Sequence, residues 1–317
     1  MTIAPIQLPE PLTIEAEHPL IRSITWYGST PPGADRPAIN EPYLSGSQLS
    51  LLRRCSAQYY FRYARHIPQP SESKMVLGLA LHAGIQAALY PRLEGNAEVH
   101  DPAAFREIGI AYARMYLKEH LTDEVIFSPS WAKGPPDTPQ SLDAEIENIF
   151  ALLAEQPLFH LEPIAIEAGF LIRWRDTRAL PLVGYLDAVL RDPLDGTVSL
   201  IDWKSSAKTK SAIDLELDSA IVGYASAISL VFGHPVRSVA YGNIVRHKDG
   251  PDLTLIEAAY NERCLLRLRN ACTLATAQIQ AGIFMPQDSP LTCQSCPFRK
   301  ECAEEFGPNL DLARHTS

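Results

Sequence analysis

Two carboxylates and a lysine occur in neighbouring segments that read as β-strands. Asp187 lies in one apolar run, and Asp202 and Lys204 lie in the next. Because side chains alternate along a strand, Asp202 and Lys204 are expected on one face. A turn at 192–196 would join the runs as a hairpin and bring Asp187 alongside them. Two acids and a lysine at one sheet edge suit a divalent metal that activates water, with the lysine holding water or a phosphate oxygen.

The residues around Asp187, Asp202 and Lys204 distinguish a functional site from a solvated strand face. An isolated Asp-x-Lys pair on a strand usually lies on a solvated face. Here the acids are embedded in apolar residues, namely Val183, Leu186, Val189, Leu190, Val198, Leu200, Ile201 and Trp203. A carboxylate within an apolar strand is costly unless it is paired or bound to metal. The sequence therefore favours a functional site over a solvated strand face.

These motifs resemble the PD-(D/E)xK nuclease superfamily, and its RecB-like branch in particular. The resemblance implies that Asp187 and Asp202 are metal ligands, together with the backbone carbonyl of Trp203, and that Lys204 is the catalytic lysine. It also implies an α/β, restriction-endonuclease-like core with a central mixed sheet flanked by helices. Mg²⁺ or Mn²⁺ would be the cofactor.

The same resemblance extends to a histidine on an upstream helix. Gly78 and His82 match the Gly-x-x-x-His pattern of the family, which implies that the His82 imidazole is a nitrogen ligand. Glu167 is a weaker candidate for an accessory acid and is equally compatible with a surface position. Tyr224 matches the tyrosine of a family Gln/Tyr helix pattern, but apolar residues stand where the glutamine is often found.

The cysteines form a second pattern. Cys293, Cys296 and Cys302 follow a C-x2-C-x5-C spacing, and three thiolates this close can surround one soft metal centre. A fourth ligand is missing from this run, and Cys55, on a predicted helix far upstream, is the candidate. Zinc and an iron–sulfur cluster both fit this spacing.

The arrangement of one remote cysteine and three clustered ones resembles iron–sulfur nucleases of the RecB family, including AddB-type subunits and CRISPR-associated RecB-like exonucleases. The resemblance implies a [4Fe-4S] cluster that joins the C-terminal segment to the first helix, after a Gly-x-Phe-x-Pro segment at 282–286. Disulfides are less expected because the sequence lacks a signal peptide pattern. Cys264 and Cys272 are expected to pack as small buried residues.

Composition sets limits on the class of protein. The chain has 317 residues and a net charge of −9, which does not by itself indicate nucleic-acid binding. Local basic stretches nevertheless flank the candidate site, and they make Arg53, Arg54, Lys208 and Lys210 candidate DNA contacts, although solvated surface is an equally good interpretation. No apolar run reaches the ~18 residues of a membrane span, so we expect a cytoplasmic protein without a membrane partner.

Periodicity and breaks in the chain predict its organisation. Residues 1–40 are Pro-rich and are interpreted as an arm or disordered tail. Residues 41–305 are expected to form the nuclease domain, with a helical insertion at about 101–157 and a cluster segment at 286–305, followed by a tail at 306–317. Strands are predicted near 164–174, 181–190, 197–204, 236–245 and 252–258, and helices near 47–65, 74–90, 213–232 and 260–282.

The sequence therefore leads to one main functional hypothesis and one alternative. The main hypothesis is a metal-dependent DNA exonuclease that acts on single-stranded ends, in CRISPR spacer acquisition, DNA repair or recombination, or phage DNA processing. CRISPR adaptation or recombination proteins would be possible partners. The alternative is a DNA-binding or scaffold subunit of a larger helicase–nuclease or integrase complex.

Overall fold

An eight-stranded mixed sheet forms the centre of the protein in the computed structural model, which describes residues 11–95, 101–129, 134–156, 161–206, 211–216, 218–233, 236–259 and 263–307. The strands are β1 (Leu12–Glu15), β2 (Ile21–Ser29), β3 (Leu44–Ser45), β4 (Glu162–Trp174), β5 (Leu182–Arg191), β6 (Val198–Ser206), β7 (Val236–His247) and β8 (Gly250–Ala259). Their order is β1-β2-β4-β5-β6-β7-β8, and β3 pairs with β5. The pairs β3–β5 and β6–β7 are parallel, and the other neighbours are antiparallel.

Helices cover both faces of the sheet, which confirms the predicted α/β core. They are α1 (Gly46–Arg54), α2 (Ser56–Tyr59) with a π-helical turn (Tyr60–Ala64), α3 (Ser73–Leu93), α4 (Pro102–His120), α5 (Pro139–Ala154), α6 (Ala212–Glu216), α7 (Ser219–Phe232), α8 (Arg263–Ala281), α9 (Pro290–Gln294) and α10 (Arg299–Phe306). One apolar cluster joins the sheet to α1, α7 and α8, and a second joins it to α3, α4 and α5. No helix among the described residues combines the length and apolar character of a membrane span.

The helix starts follow from the sequence. Ser45 caps α1 through a capping box, in which its Oγ accepts from the Gln48 N–H and the Gln48 side chain accepts from the Ser45 N–H. Thr138 caps α5 in the same way, and Pro139 occupies its first turn. Helices α4 and α5 lie within the predicted insertion at 101–157 and pack on α3, so this part of the chain contributes to the core under the sheet.

The N-terminal segment differs from the expected arm. Strands β1 and β2 join the edge of the central sheet, and β2 pairs with β4 along most of its length. Ile21, Ile24 and Trp26 are buried there. Two register shifts in β2 interrupt the alternation of buried and exposed side chains from which a strand is predicted. Prolines on both sides of the strand interrupt the periodicity of the flanking sequence. Residues 12–29 are therefore part of the sheet.

Glycine at position 242 is required by the packing of β7 against the strand that carries the candidate acids. A Cβ at Gly242 would overlap the indole ring of Trp203, whereas a Cβ at Gly78 on α3 would meet nothing within 4 Å. Gly242→Ala is expected to lower the free energy of unfolding by about 1–3 kcal/mol through overpacking. Gly78→Ala is expected to raise it by up to about 1 kcal/mol through helix propensity. Urea unfolding of both variants measures the difference, and equal midpoints would contradict this packing account.

Candidate active site

The candidate site lies where β5 and β6 stop pairing. The last pair of their ladder is Ala188 with Ile201, so Asp187 and Asp202 are the next positions on the two strands. Instead of a continued ladder, the Asp187 Oδ2 atom accepts a hydrogen bond of 2.6 Å from the Trp203 N–H. The two acids therefore occupy facing positions where the strands separate, which we call the fork. The Trp203 N–H of β6 orients the Asp187 carboxylate.

Lys204 lies on the same face of β6 as Asp202, as strand alternation predicts. Its Nζ atom contacts the Asp202 Oδ2 atom in an ion pair. The Asp202 side chain is almost fully buried, whereas that of Lys204 is partly exposed. The ammonium group can therefore reach both the buried carboxylate and a ligand in the cleft.

His82 enters the site from α3 and lies between two carboxylates. Its Nδ1 atom is 3.5 Å from the Asp187 Oδ1 atom and 3.9 Å from the Glu167 Oε1 atom. Glu167 is on β4, opposite Asp187, with a left-handed φ of 45°. Such a conformation is costly for a residue with a side chain, and it is concentrated at functional sites. Glu167, a weak accessory candidate in the sequence, is thus next to His82 and Asp187.

Burial and mutual charge determine the protonation of the four central groups. Burial opposes protonation of His82, but the charges of Asp187 and Glu167 outweigh it and raise the pKa of the imidazole to about 10. Burial, reinforced by the charge of Asp187, raises the pKa of Asp202 to about 7 despite the opposing effect of Lys204. For Asp187, burial is outweighed by His82 and Lys204, and its pKa is lowered. For Lys204, burial is outweighed by the two aspartates, and its pKa is raised.

The donor set fits a divalent cation. His82, Glu167 and Asp187 offer ligand atoms that all lie within 4.8 Å of one another. A cation at ~2.1 Å from its ligands would hold neighbouring ligand atoms about 3 Å apart, so it would draw these atoms together from the 3.5 and 3.9 Å that separate His82 Nδ1 from the two carboxylates. Without a cation, a protonated imidazole supplies the positive charge that these buried acids require. Carboxylate oxygens with one imidazole are suitable ligands for Mg²⁺ or Mn²⁺.

Two further groups surround Asp202. Burial and the charge of Asp202 hold the pKa of Tyr224 well above its usual value, so its hydroxyl stays protonated. Asp218, which precedes α7, accepts a hydrogen bond of 2.6 Å from the Tyr241 hydroxyl and raises the pKa of Asp202 further. Asp218 could not be recognised as a site residue from the sequence, because an aspartate before a helix is ordinarily a cap.

The other predicted residues lie elsewhere or outside the described part of the chain. Arg53 and Arg54 are in the last turn of α1, and Arg54 donates to the Gln58 side chain at 2.9 Å. This position is next to Cys55. Lys208 and Lys210 lie outside the described residues.

Three of the four cysteines predicted to bind a cluster lie in or against one small apolar group to which both ends of the chain contribute. Cys55 is buried with Phe61 and Phe298, and Cys296 and Cys302 pack against this group. Cys293 is linked to it through Gln287, whose N–H contacts the Cys55 Sγ atom and whose carbonyl contacts the Cys293 Sγ atom. Among the described residues, no three cysteine sulfurs lie within 4.8 Å of one another. The thiols are thus neighbours without forming a tight metal cluster.

Glu167 is the acid whose role the structure changes most, and it gives a direct prediction. Glu167→Gln keeps the side-chain shape but removes a charge next to His82 and Asp187. We expect Mn²⁺ affinity to fall by about 10–100-fold, measured by isothermal titration without DNA. Glu162→Gln, on the same strand but paired with Arg191, is the matched control and should bind Mn²⁺ normally. Equal affinities of the two variants would exclude Glu167 from the cation site.

Comparisons with known proteins identify the class. A sheet fork carrying Asp, Asp-x-Lys and an incoming histidine, within an α/β core, is a restriction-endonuclease-like arrangement. The family model of the PD-(D/E)XK nuclease superfamily matches residues 43–303. The chain belongs to this superfamily, which makes it a phosphodiester-hydrolysing nuclease of a family that uses divalent metals and acts on DNA.

A solved structure supports this fold. A candidate exonuclease from Eubacterium rectale has a TM-score of 0.50 at 12% identity, with 80% of this chain and 86% of that chain covered. The structure of SSO0001 has a TM-score of 0.34 at 14% identity, with 84% and 88% covered, which is too low to indicate a shared fold. No curated protein matches the chain significantly.

Proposed function

We propose that the protein is a Mg²⁺- or Mn²⁺-dependent exonuclease that hydrolyses single-stranded DNA from its ends. The observation that carries the proposal is the convergence of Asp187, Asp202, Lys204, His82 and Glu167 at the fork between β5 and β6. The likeness to a candidate exonuclease supports the exonuclease activity. Involvement in CRISPR adaptation, recombination or phage DNA processing, and partners from those systems, rest on the family resemblance.

The roles of the residues follow from their contacts. A bound divalent cation would stabilise the negative charge that develops on the phosphate during hydrolysis. Asp187, Glu167 and His82 would hold it, with Asp202 and the Trp203 carbonyl completing the set. The Trp203 N–H keeps the Asp187 carboxylate turned into the fork. A ligand set fixed before substrate binds costs no rearrangement during the reaction.

Lys204 acts on the reacting groups. Its raised pKa keeps the ammonium protonated, so it can donate to a phosphate oxygen or orient the attacking water. Water attacks phosphorus and gives up one proton to solvent, the bond from phosphorus to the leaving oxygen breaks, and that oxygen takes up one proton from solvent. Both Asp202 and Lys204 are present and in contact. This favours cleavage over the alternative of a scaffold subunit.

We further propose that Cys55, Cys293, Cys296 and Cys302 bind a [4Fe-4S] cluster. Burial and the neighbouring cysteines raise the pKa of Cys302 to about 11. A cationic metal centre bound to these cysteines would favour the ionised form of the thiol. A tetrahedral zinc site with bonds of ~2.3 Å needs sulfurs about 3.8 Å apart. A cluster distributes its thiolates over separate iron atoms, so its cysteine sulfurs lie farther apart than those of a zinc site, and among the described residues no three cysteine sulfurs lie within 4.8 Å of one another.

End-labelled DNA tests the exonuclease proposal. Single-stranded DNA labelled at the 5′ or 3′ end is incubated with Mn²⁺, and the products are followed over time. With an exonuclease, DNA labelled at the attacked end gives labelled mononucleotides or short products at once. DNA labelled at the other end gives progressively shorter labelled fragments. A mixture of internal fragments at early times with both labels would show an endonuclease. No cleavage with intact DNA binding would support the scaffold alternative.

A further inference from the structure

An arginine outside the predicted motifs lies at the edge of the candidate site. Arg36 belongs to the irregular segment between β2 and β3, and its Nη2 atom donates to the Glu167 Oε2 atom at 2.8 Å. The other oxygen of Glu167 faces His82. Arg36 therefore contacts one of the carboxylates that would hold the cation.

The segment that carries Arg36 is held in place from both sides. The Gln86 side chain, one turn beyond His82 on α3, donates to the Thr30 carbonyl at 2.8 Å. The Thr30 N–H in turn donates to the Glu167 carbonyl at 3.2 Å. Prolines in this segment restrict its backbone further. The position of Arg36 is thus fixed by the same helix and strand that position the site.

A tyrosine fixes the plane of the guanidinium. The Arg36 Cζ atom lies 4.3 Å above the centre of the Tyr185 ring. The same ring lies close to Gly169, where a Cβ would be 3.0 Å from Tyr185 Cε1. Tyr185 precedes Asp187 by two residues and so shares its face of β5. The Tyr185 ring and the Arg36 guanidinium above it therefore adjoin the face of β5 that carries Asp187.

The Arg36 guanidinium is exposed enough to donate further hydrogen bonds. The Arg36 side chain is 56% exposed, whereas the Glu167 side chain to which it is bonded is 8% exposed. Within the described part of the chain, its contacts are the Glu167 carboxylate and the Tyr185 ring. An arginine carries five N–H donors in a planar fork. Most of them are therefore available to a ligand in the cleft.

The charges of the site make such a donor necessary. Four acids, Glu167, Asp187, Asp202 and Asp218, lie at the site. Of its two cations, His82 already lies between Glu167 and Asp187, and the ammonium of Lys204 is in contact with Asp202. A polyanionic DNA strand approaching these acids needs compensating positive charge. Arginine suits this role because its fork binds two phosphate oxygens at once.

We infer that Arg36, stacked on Tyr185, forms a phosphate subsite that holds the nucleic-acid strand beside the catalytic group. The inference rests on the proposed nuclease function. It assigns Arg36 to strand binding, separately from the chemical step. The stacked guanidinium is ordered before binding, so little side-chain freedom is lost when the phosphate arrives.

Binding is measured with a short, fluorescein-labelled single-stranded oligonucleotide in EDTA, by anisotropy over a range of NaCl concentrations. The parent protein is the Asp202→Asn variant, which removes cleavage from the measurement. Adding Arg36→Gln should weaken binding about tenfold and lower the salt slope by roughly 0.7. Tyr185→Leu should weaken binding to a smaller extent, whereas Tyr185→Phe should keep the stack and bind normally. Arg62→Gln is the matched control, because Arg62 stacks on Tyr63 near the cysteines.

Steady-state kinetics distinguish a role of Arg36 in binding the DNA strand from a role in holding Glu167 in place. In the active protein, Arg36→Gln should raise KM for DNA with kcat changed less than about threefold. If Arg36 serves only to hold Glu167, the variant would lose Mn²⁺ affinity and kcat while DNA binding in EDTA stays unchanged, and the subsite would be overturned. Arg36-dependent binding by a protein that never cleaves DNA would support the subsite and contradict the proposed function instead.

Discussion

Asp202→Asn is expected to reduce Mn²⁺-dependent DNA cleavage by at least about 10³-fold, the scale of loss for a preorganised charged group at a reaction centre. Asparagine fills the same space but offers no negative charge to a cation. The fold should be retained, since the change removes a buried charge that Asp187 disfavours. Initial rates on end-labelled single-stranded DNA give the effect, and circular dichroism with thermal unfolding confirms the fold.

Glu257→Gln is the control for this prediction. Glu257 is an exposed acid on β8, and its substitution should leave the rate within about twofold of the parent, as expected for a surface change. Asp187→Asn and Lys204→Ala should behave like Asp202→Asn. A folded Asp202→Asn protein with the full parental rate would remove Asp202 from the site and with it the metal-binding role of β6.

Cys302→Ala is expected to have the second large effect, on both colour and stability. Loss of one of four thiolates should abolish the broad absorption at about 400 nm that the cluster assignment implies for anaerobically purified protein. Because the proposed cluster would join α1 and α2 to α10, the free energy of unfolding should also fall, by the order of 2–5 kcal/mol that removal of a cross-link costs. Visible spectra, iron analysis and denaturant unfolding measure these changes.

Cys264→Ala is the matched control, because Cys264 packs against the main core away from the other thiols. It should keep colour, iron and activity. If the parent protein purified without oxygen is colourless and contains one zinc per chain, the cysteines bind zinc instead of a cluster. The nuclease proposal would then be unaffected. Stable, metal-free parent protein with all four thiols reactive would contradict any metal-based link between the chain ends.

The catalytic strands could be predicted because their signals are local. Apolar runs with period 2 placed β4, β5 and β6 to within two residues of their observed ends. A hairpin between β5 and β6 fixes the register, and the register places Asp187 beside Asp202. Because a carboxylate within an apolar strand is costly unless it is paired or bound to metal, these two aspartates indicate a functional site. The match to the nuclease family agrees.

Residues whose position depends on irregular backbone could not be predicted in the same way. Glu167 reaches His82 through a left-handed conformation that periodicity does not encode. Arg36 lies in an irregular, Pro-rich segment, so nothing in its neighbours relates it to Tyr185 or Glu167. Strand β2 was missed because its two register shifts interrupt the alternation. In each case a tertiary contact overrides the local pattern.

The central claim is that this sheet fork is a metal-dependent nuclease site, and cation dependence of cleavage tests it most directly. Protein purified without oxygen is treated with EDTA, desalted, and assayed on end-labelled single-stranded DNA with no added metal and with increasing Mn²⁺ or Mg²⁺. We predict no cleavage without metal, and saturable recovery with Mn²⁺ that the Asp202→Asn variant fails to reproduce. Cleavage by EDTA-treated protein at the full rate, or recovery equal in the parent and the Asp202→Asn variant, would contradict the account.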